Sequence, residues 1–129
     1  MPTYYIEVLK SKLHQARVTD GSIEYPGSLG ISRELMDAVG FIQYEKILVA
    51  NVENGERFET YVIEEKQPGK IILNGAAAHL GKPGDRLIIM SFAEVDTAEA
   101  HEHQPRVAVL GRHNEILKLT NNPTAVAVG

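Results

Sequence analysis

Tyr25-Pro26-Gly27-Ser28 separates the strand-like beginning of the chain from its first helix-like segment. Pro26 has no backbone donor and biases Tyr25 to an extended conformation, so a regular ladder is interrupted here. Gly27 can take backbone angles that other residues reach only at a cost. The stretch therefore reads first as a turn. It also has a chemical reading. A serine hydroxyl directly after a glycine can attack that glycine's carbonyl carbon and cut the chain at its own backbone. Gly-Ser is among the commonest turn pairs, so the rest of the chain has to decide between the two.

Upstream, Tyr4 to Leu9 is rich in aromatic and β-branched residues and predicts a strand. Lys12 to Thr19 alternates loosely, with His14, Ala16 and Val18 on one side and Leu13, Gln15 and Arg17 on the other, and predicts a second. Asp20-Gly21 reads as a turn, and Ile23 to Tyr25 as a short strand. Downstream, Ser32 can cap a helix from Arg33 to Val39 that Gly40 ends. Lys46 to Val52 and Glu56 to Ile63 flank Asn54-Gly55, the best hairpin signal in the chain. Pro68-Gly69 turns into a strand from Lys70 to Leu73, and Asn74-Gly75 turns again before a helical turn over Ala76 to Leu80. Arg86 to Phe92 is a near-continuous apolar run, expected to be buried on both faces. Asp96 and Glu99 form a capping-box pattern for a helix to about His103. Arg106 to Leu110 and Glu115 to Leu119 predict a last hairpin, and Thr120 to Gly129 a mobile tail. Short strands, regular turns and a few short helices predict a mainly-β fold, a small closed β-barrel.

The 129 residues fit one domain, with ordinary proportions of 43% hydrophobic and 23% charged residues. A net charge of -4 argues against a nucleic-acid or anionic-membrane surface. There is no cysteine, which excludes disulfides, zinc-thiolate sites and thiol nucleophiles and suits a reducing cytoplasm. The N-terminus lacks the basic flank and apolar run of a signal peptide, and no apolar run is long enough for a membrane span.

No metal site is expected. His101 and His103 are two apart and would not face each other on a helix. His113 sits in a turn, His79 follows one, and His14 lies in a strand beside Lys12. Glu64-Glu65-Lys66 reads as a solvated strand end. Two stretches stand out. On the Glu56 to Ile63 strand, alternation groups Arg57, Glu59 and Tyr61 on one face, and Phe58, Thr60 and Val62 on the other. Arginine suits bidentate recognition of a carboxylate, and a tyrosine hydroxyl can donate a proton in a dry site. In Asn74-Gly75-Ala76-Ala77-Ala78-His79, small side chains leave backbone amides open to a ligand or another chain segment.

Taken together, Lys12-Leu13-His14, Tyr25-Pro26-Gly27-Ser28, Asn51-Val52 with Asn54-Gly55, Arg57-Phe58 with Thr60-Tyr61, Asn74 to His79 and Gly84-Asp85 resemble the aspartate 1-decarboxylase family in order and near-spacing. The resemblance covers about residues 4 to 110. It implies a double-psi β-barrel assembled as a homotetramer, with sites between subunits. It implies cleavage at Gly27-Ser28 into a beta chain of residues 1–27 and an alpha chain of residues 28–129. The cofactor would be a pyruvoyl group made from Ser28, which forms a Schiff base with L-aspartate on the way to β-alanine for pantothenate. By the family pattern Tyr61 is the proton donor and Arg57 holds a substrate carboxylate. Thr60, Gly75, Ala76 and Ala77 line the substrate position, and Thr60 also resembles the residue that assists cleavage. Asn74 lies near the cut, and Lys12, His14 and Tyr25 are supporting candidates. Open alternatives are a pyruvoyl decarboxylase of another amino acid such as glutamate, and a non-enzymatic β-barrel binding module. Whether cleavage needs a maturation factor is also open.

Overall fold

A computed structural model describes residues 2–120; the expected mobile tail, apart from Thr120, lies outside them. The elements run β1 (Tyr5–Arg17), β2 (Asp20–Ser22), β3 (Ser28–Ser32), α1 (Arg33–Val39), β4 (Lys46–Asn51) and β5 (Arg57–Glu65). They continue as β6 (Ile71–Asn74), a 3-10 helix (Gly75–Leu80), β7 (Arg86–Asp96), α2 (Thr97–Ala100), β8 (Arg106–Leu110) and β9 (Ile116–Thr120). The strands hydrogen-bond in one series, β2-β6-β3-β5-β4-β7-β1-β8-β9. The fold is mainly β with a few short helices, as expected. The ladders leave β2 and β9 as the ends of the series, so barrel closure is not itself one of these ladders.

The two strands expected before residue 20 are one. β1 runs antiparallel to β7, with register shifts between Leu9 and Ser11 and between Leu13 and Ala16. An extra residue bends a strand without ending it. Gln15 sits in the second bulge at φ 63. This resets the alternation, so Leu13 and Ala16 are both fully buried although simple alternation would separate them. β1 also pairs in parallel with β8, which makes it an interior strand.

Around the Gly27-Ser28 stretch the expected order is inverted. Asp20-Gly21 is not a turn but the start of β2, paired in parallel with β6 from Asp20↔Ile72 to Ser22↔Asn74. Ile23 to Tyr25 is not a strand. β6 ends at Asn74, so nothing remains for these residues to pair with, and the side chains of Ile23 and Tyr25 are exposed. The chain re-enters the sheet at Ser28. No strand was expected there, yet Ser28 to Ser32 are all buried, lying parallel to β5 and antiparallel to β6.

The local signals fared better. Gly55 turns the β4–β5 hairpin at φ 78, and Gly40 ends α1 with its N–H donating to the Met36 carbonyl at 2.8 Å. Ser32 occupies the N-cap position without a side-chain capping bond. Asp96 does cap α2, accepting from the Ala98 N–H at 2.7 Å, but that helix stops at Ala100 rather than His103. β7 extends to Asp96 and is not buried on both faces. Leu87, Ile89 and Ser91 point into the core while Ile88 and Met90 are partly covered and Phe92 is exposed, because only one side of the strand meets the core. Leu13, Leu29, Ile31, Val49, Val62 and Ile89 belong to one continuous core cluster. Among the described residues no helix is long and apolar enough to cross a membrane.

Candidate active site

Side chains on a strand alternate between faces, so three adjacent strands present every second residue to one side. On the β6-β3-β5 sheet that side bears Ser28 from β3, Ile72 and Asn74 from β6, and Tyr61, Ile63 and Glu65 from β5. With Tyr25 and Pro26 they line a cavity of about 490 Å³. Gly30 makes room in it: a Cβ there would stand 2.9 Å from Glu65 Cγ and 3.2 Å from Ile72 Cβ.

Ser28 is 3% exposed and faces Asn74 directly across the β3–β6 ladder. The Asn74 amide Nδ2 donates to Ser28 Oγ at 3.2 Å, and Ser28 Oγ in turn donates to the Pro26 carbonyl at 3.3 Å. The other end of the Asn74 amide, Oδ1, is buried with no hydrogen-bond partner among the described residues. A buried hydroxyl is thus held by one amide donor, with an unused acceptor beside it.

The glycine whose backbone freedom matters is not the expected one. Gly27 is absent from the residues with positive φ, and a Cβ built on it would meet nothing within 4 Å. Gly75 has φ 62, and a Cβ there would fall 2.7 Å from both Gly27 N and Gly27 Cα and 2.8 Å from the Tyr25 carbonyl. Both its conformation and the closeness of the Gly27 backbone require glycine at 75.

On the other side of the stretch, Gly27, Thr60, Ala76 and Ala77 border a second hollow of about 320 Å³, with Phe58, Glu59 and Leu80. The Gly27-Ser28 peptide thus borders both hollows. Tyr61 and Thr60 are sequence neighbours and fall on opposite sides of this divide. The Tyr61 ring is steadied by Tyr44, with ring centroids 6.3 Å apart.

Within one chain the structure does not bring all the candidates together. Arg57 is exposed at the start of β5, opposite Ala50, and borders neither hollow. Lys12 and His14 lie on β1, opposite Val107 and Val109 of β8. Burial, and then the Lys12 charge, hold the His14 pKa below its ordinary value; its Nδ1 is buried without a partner among the described residues. No group of three metal-ligating side chains occurs among the described residues. Glu65, Ile63, Ile72 and Pro26 were not expected in the site. Carrying the Arg57-Glu59-Tyr61 alternation two and four residues further would have found Ile63 and Glu65.

A family model described as aspartate decarboxylase matches residues 4–117. A protein of Shouchella clausii named aspartate 1-decarboxylase is 47% identical over 125 residues, covering 96% of this chain and 98% of its own. One of the same name from Chlorobium chlorochromatii is 51% identical over 111 residues, 85% of this chain and 86% of its own. One from Campylobacter jejuni is 46% identical over 116 residues, 90% and 92%. With the matched span running from the start of β1 into β9 and through both hollows, the chain belongs to the aspartate decarboxylase family.

Proposed function

We propose that this chain cuts itself between Gly27 and Ser28, carries a pyruvoyl group at position 28, and converts L-aspartate to β-alanine and carbon dioxide, a source of β-alanine for pantothenate. One observation supports it most: Ser28 Oγ is buried on the Asn74 amide at the point where Gly75 presses on the Gly27 backbone. An ordinary exposed turn would have neither feature.

The atoms that maturation rearranges come from the chain and one water molecule. Ser28 Oγ bonds to the Gly27 carbonyl carbon, the Gly27–Ser28 C–N bond breaks, and the Ser28 nitrogen takes the hydroxyl proton, leaving an ester. The Ser28 α-proton is then lost and the Gly27 carboxylate leaves from Cβ, giving dehydroalanine at the head of residues 28–129. Water displaces its nitrogen as ammonia. The Asn74 Nδ2–H group stands where charge develops at the serine oxygen, and fixed donors in a dry site favour such charge. The unused Asn74 Oδ1 is an acceptor beside the same atom. Thr60, across the peptide in the second hollow, assists from the Gly27 side. The 3% exposure of Ser28 and the glycine-only contact at 75 fit a group built from residue 28 in place.

Once formed, a pyruvoyl group supplies a ketone for the substrate amine and an electron sink for decarboxylation. Tyr61 protonates the α-carbon after the carboxylate leaves, a role supported by its bordering the same cavity as Ser28. Ala76 and Ala77 keep the second hollow open for substrate beside Gly27. Arg57 binds a substrate carboxylate, and because it lies outside both hollows of its own chain it acts from a neighbouring subunit of a homotetramer. Lys12, His14 and Tyr25 support the site at that boundary.

Denaturing mass spectrometry tests the reading. The expected spectrum has two fragments, residues 1–27 and 28–129, with an amine-free start on the larger one, while Ser28→Ala remains one chain. Carbon dioxide should be released from aspartate in preference to glutamate. A single intact 14.2 kDa chain that releases none from either would overturn it.

A further inference from the structure

Among the acidic groups around Ser28, the Glu65 carboxylate has no assigned task. It borders the Ser28 cavity from the far end of β5, and its side chain makes no hydrogen bond or ion pair with any described residue. Its neighbour Glu64, on the opposite face, is bound to Arg33 at 2.9 Å. Glu65 is also not folded away. Its Cγ and Oε1 lie 2.9 and 3.1 Å from where a Gly30 Cβ would stand, so the side chain lies over Gly30 in space that only glycine leaves.

Gly30 is two residues after Ser28 on the same face of β3. Residues two apart on a strand are about 6.5–7 Å apart. A nitrogen placed a hydrogen bond of about 2.8 Å from a carboxylate and about 3 Å from a reacting carbon spans a gap of nearly that size. We propose that Glu65 receives the α-ammonium group of the substrate and holds it toward position 28. This assignment rests on the function proposed above. The same charge repels both substrate carboxylates, turning them away from this end of the cavity. The carboxylate would therefore select for an amine-bearing diacid over the more negative diacid that lacks the amine.

Succinate, which has the two carboxylates and lacks the amine, separates these effects. The experiment uses the self-processed enzyme and Glu65→Gln, a near-isosteric change. It measures KM for L-aspartate and the inhibition constant for succinate. The expected result is a fivefold or greater rise in KM for aspartate, with succinate binding unchanged or tightened. Equal changes for both ligands, or no change in either, would overturn the assignment. So would failure of Glu65→Gln to cut itself, which would place the residue in maturation. Failure of the functional proposal looks different, because wild-type protein would then neither cut itself nor release carbon dioxide.

Discussion

Gly75 and Gly27 are in direct backbone contact: a Cβ on Gly75 would stand 2.7 Å from Gly27 Cα. The strand end that carries Asn74 thus abuts the residue before Ser28. In Gly75→Ala the added methyl must displace the 25–27 segment and also strain a residue at φ 62. The expected outcome is at least a tenfold slower appearance of the two fragments in a mass-spectrometric time course. Gly27→Ala meets no atom and should fold as stably as wild type. Cleavage of Gly75→Ala at the wild-type rate would remove this contact from maturation.

Tyr61 borders the Ser28 cavity but makes no hydrogen bond to Ser28. Tyr61→Phe should therefore still cut itself, with kcat reduced on the order of 10²-fold or more for loss of the proton donor. An uncut Tyr61→Phe chain would move Tyr61 into maturation instead.

Asp85 is a buried carboxylate held by three hydrogen bonds. It is 4% exposed and accepts from Asn51 Nδ2 at 3.0 Å, from the Lys82 N–H at 3.0 Å and from Lys82 Nζ at 3.2 Å. Burial pushes its pKa up, and the Asn51 and Lys82 donors outweigh that and hold it below the ordinary value. Its stabilising effect is thus present above the unfolded-state pKa and is lost as pH falls through the lower folded-state value. Asp85→Ala should cost about 2–3 kcal/mol at neutral pH. Urea unfolding should show the gap between the two proteins narrowing as pH falls below the ordinary aspartate value of 3.8. A gap that does not change with pH would argue against the ionised network.

His14 carries the opposite charge when protonated, and its pKa is also lowered, first by burial and then by Lys12. The folded state therefore disfavours the proton, so the contribution is complete above the ordinary value of 6.5 and is lost as pH falls from there toward the folded-state pKa. Glutamine cannot titrate, so His14→Gln should show a flatter thermal midpoint between about pH 7 and 5. Parallel curves for the two proteins would sink this prediction.

What could be read from the sequence was local. Asn54-Gly55 announces a hairpin because the turn chemistry and both strands lie within a few residues, and Gly40 marks a helix end for the same reason. The parallel pairs β2–β6 and β3–β5 left no such trace, since their partners are tens of residues away and a three-residue strand has no period to detect. The bulge at Gln15 hid the unity of β1 by shifting alternation mid-strand. In the site, the Gly27-Ser28 pair, the face shared by Arg57 and Tyr61 and the small-residue run after Asn74 were visible as local patterns, and the family resemblance gave them their expected roles. The sequence alone carried no spatial arrangement. It could not show that the Gly27-Ser28 peptide borders two hollows, or that Glu65 faces the same cavity as Ser28.

The placement of β1 and β3 has a consequence for the molecule after cleavage. A break after Gly27 leaves residues 5–17 laced between β7 and β8, while the new end at 28 is already bracketed by β5 and β6. The product is then a two-chain particle whose short chain cannot diffuse away without dismantling the centre of the sheet. Unfolding it would turn a unimolecular refolding problem into a bimolecular one. The precursor should regain its structure from denaturant at any dilution, whereas the matured particle should do so only at concentrations high enough for its two pieces to meet.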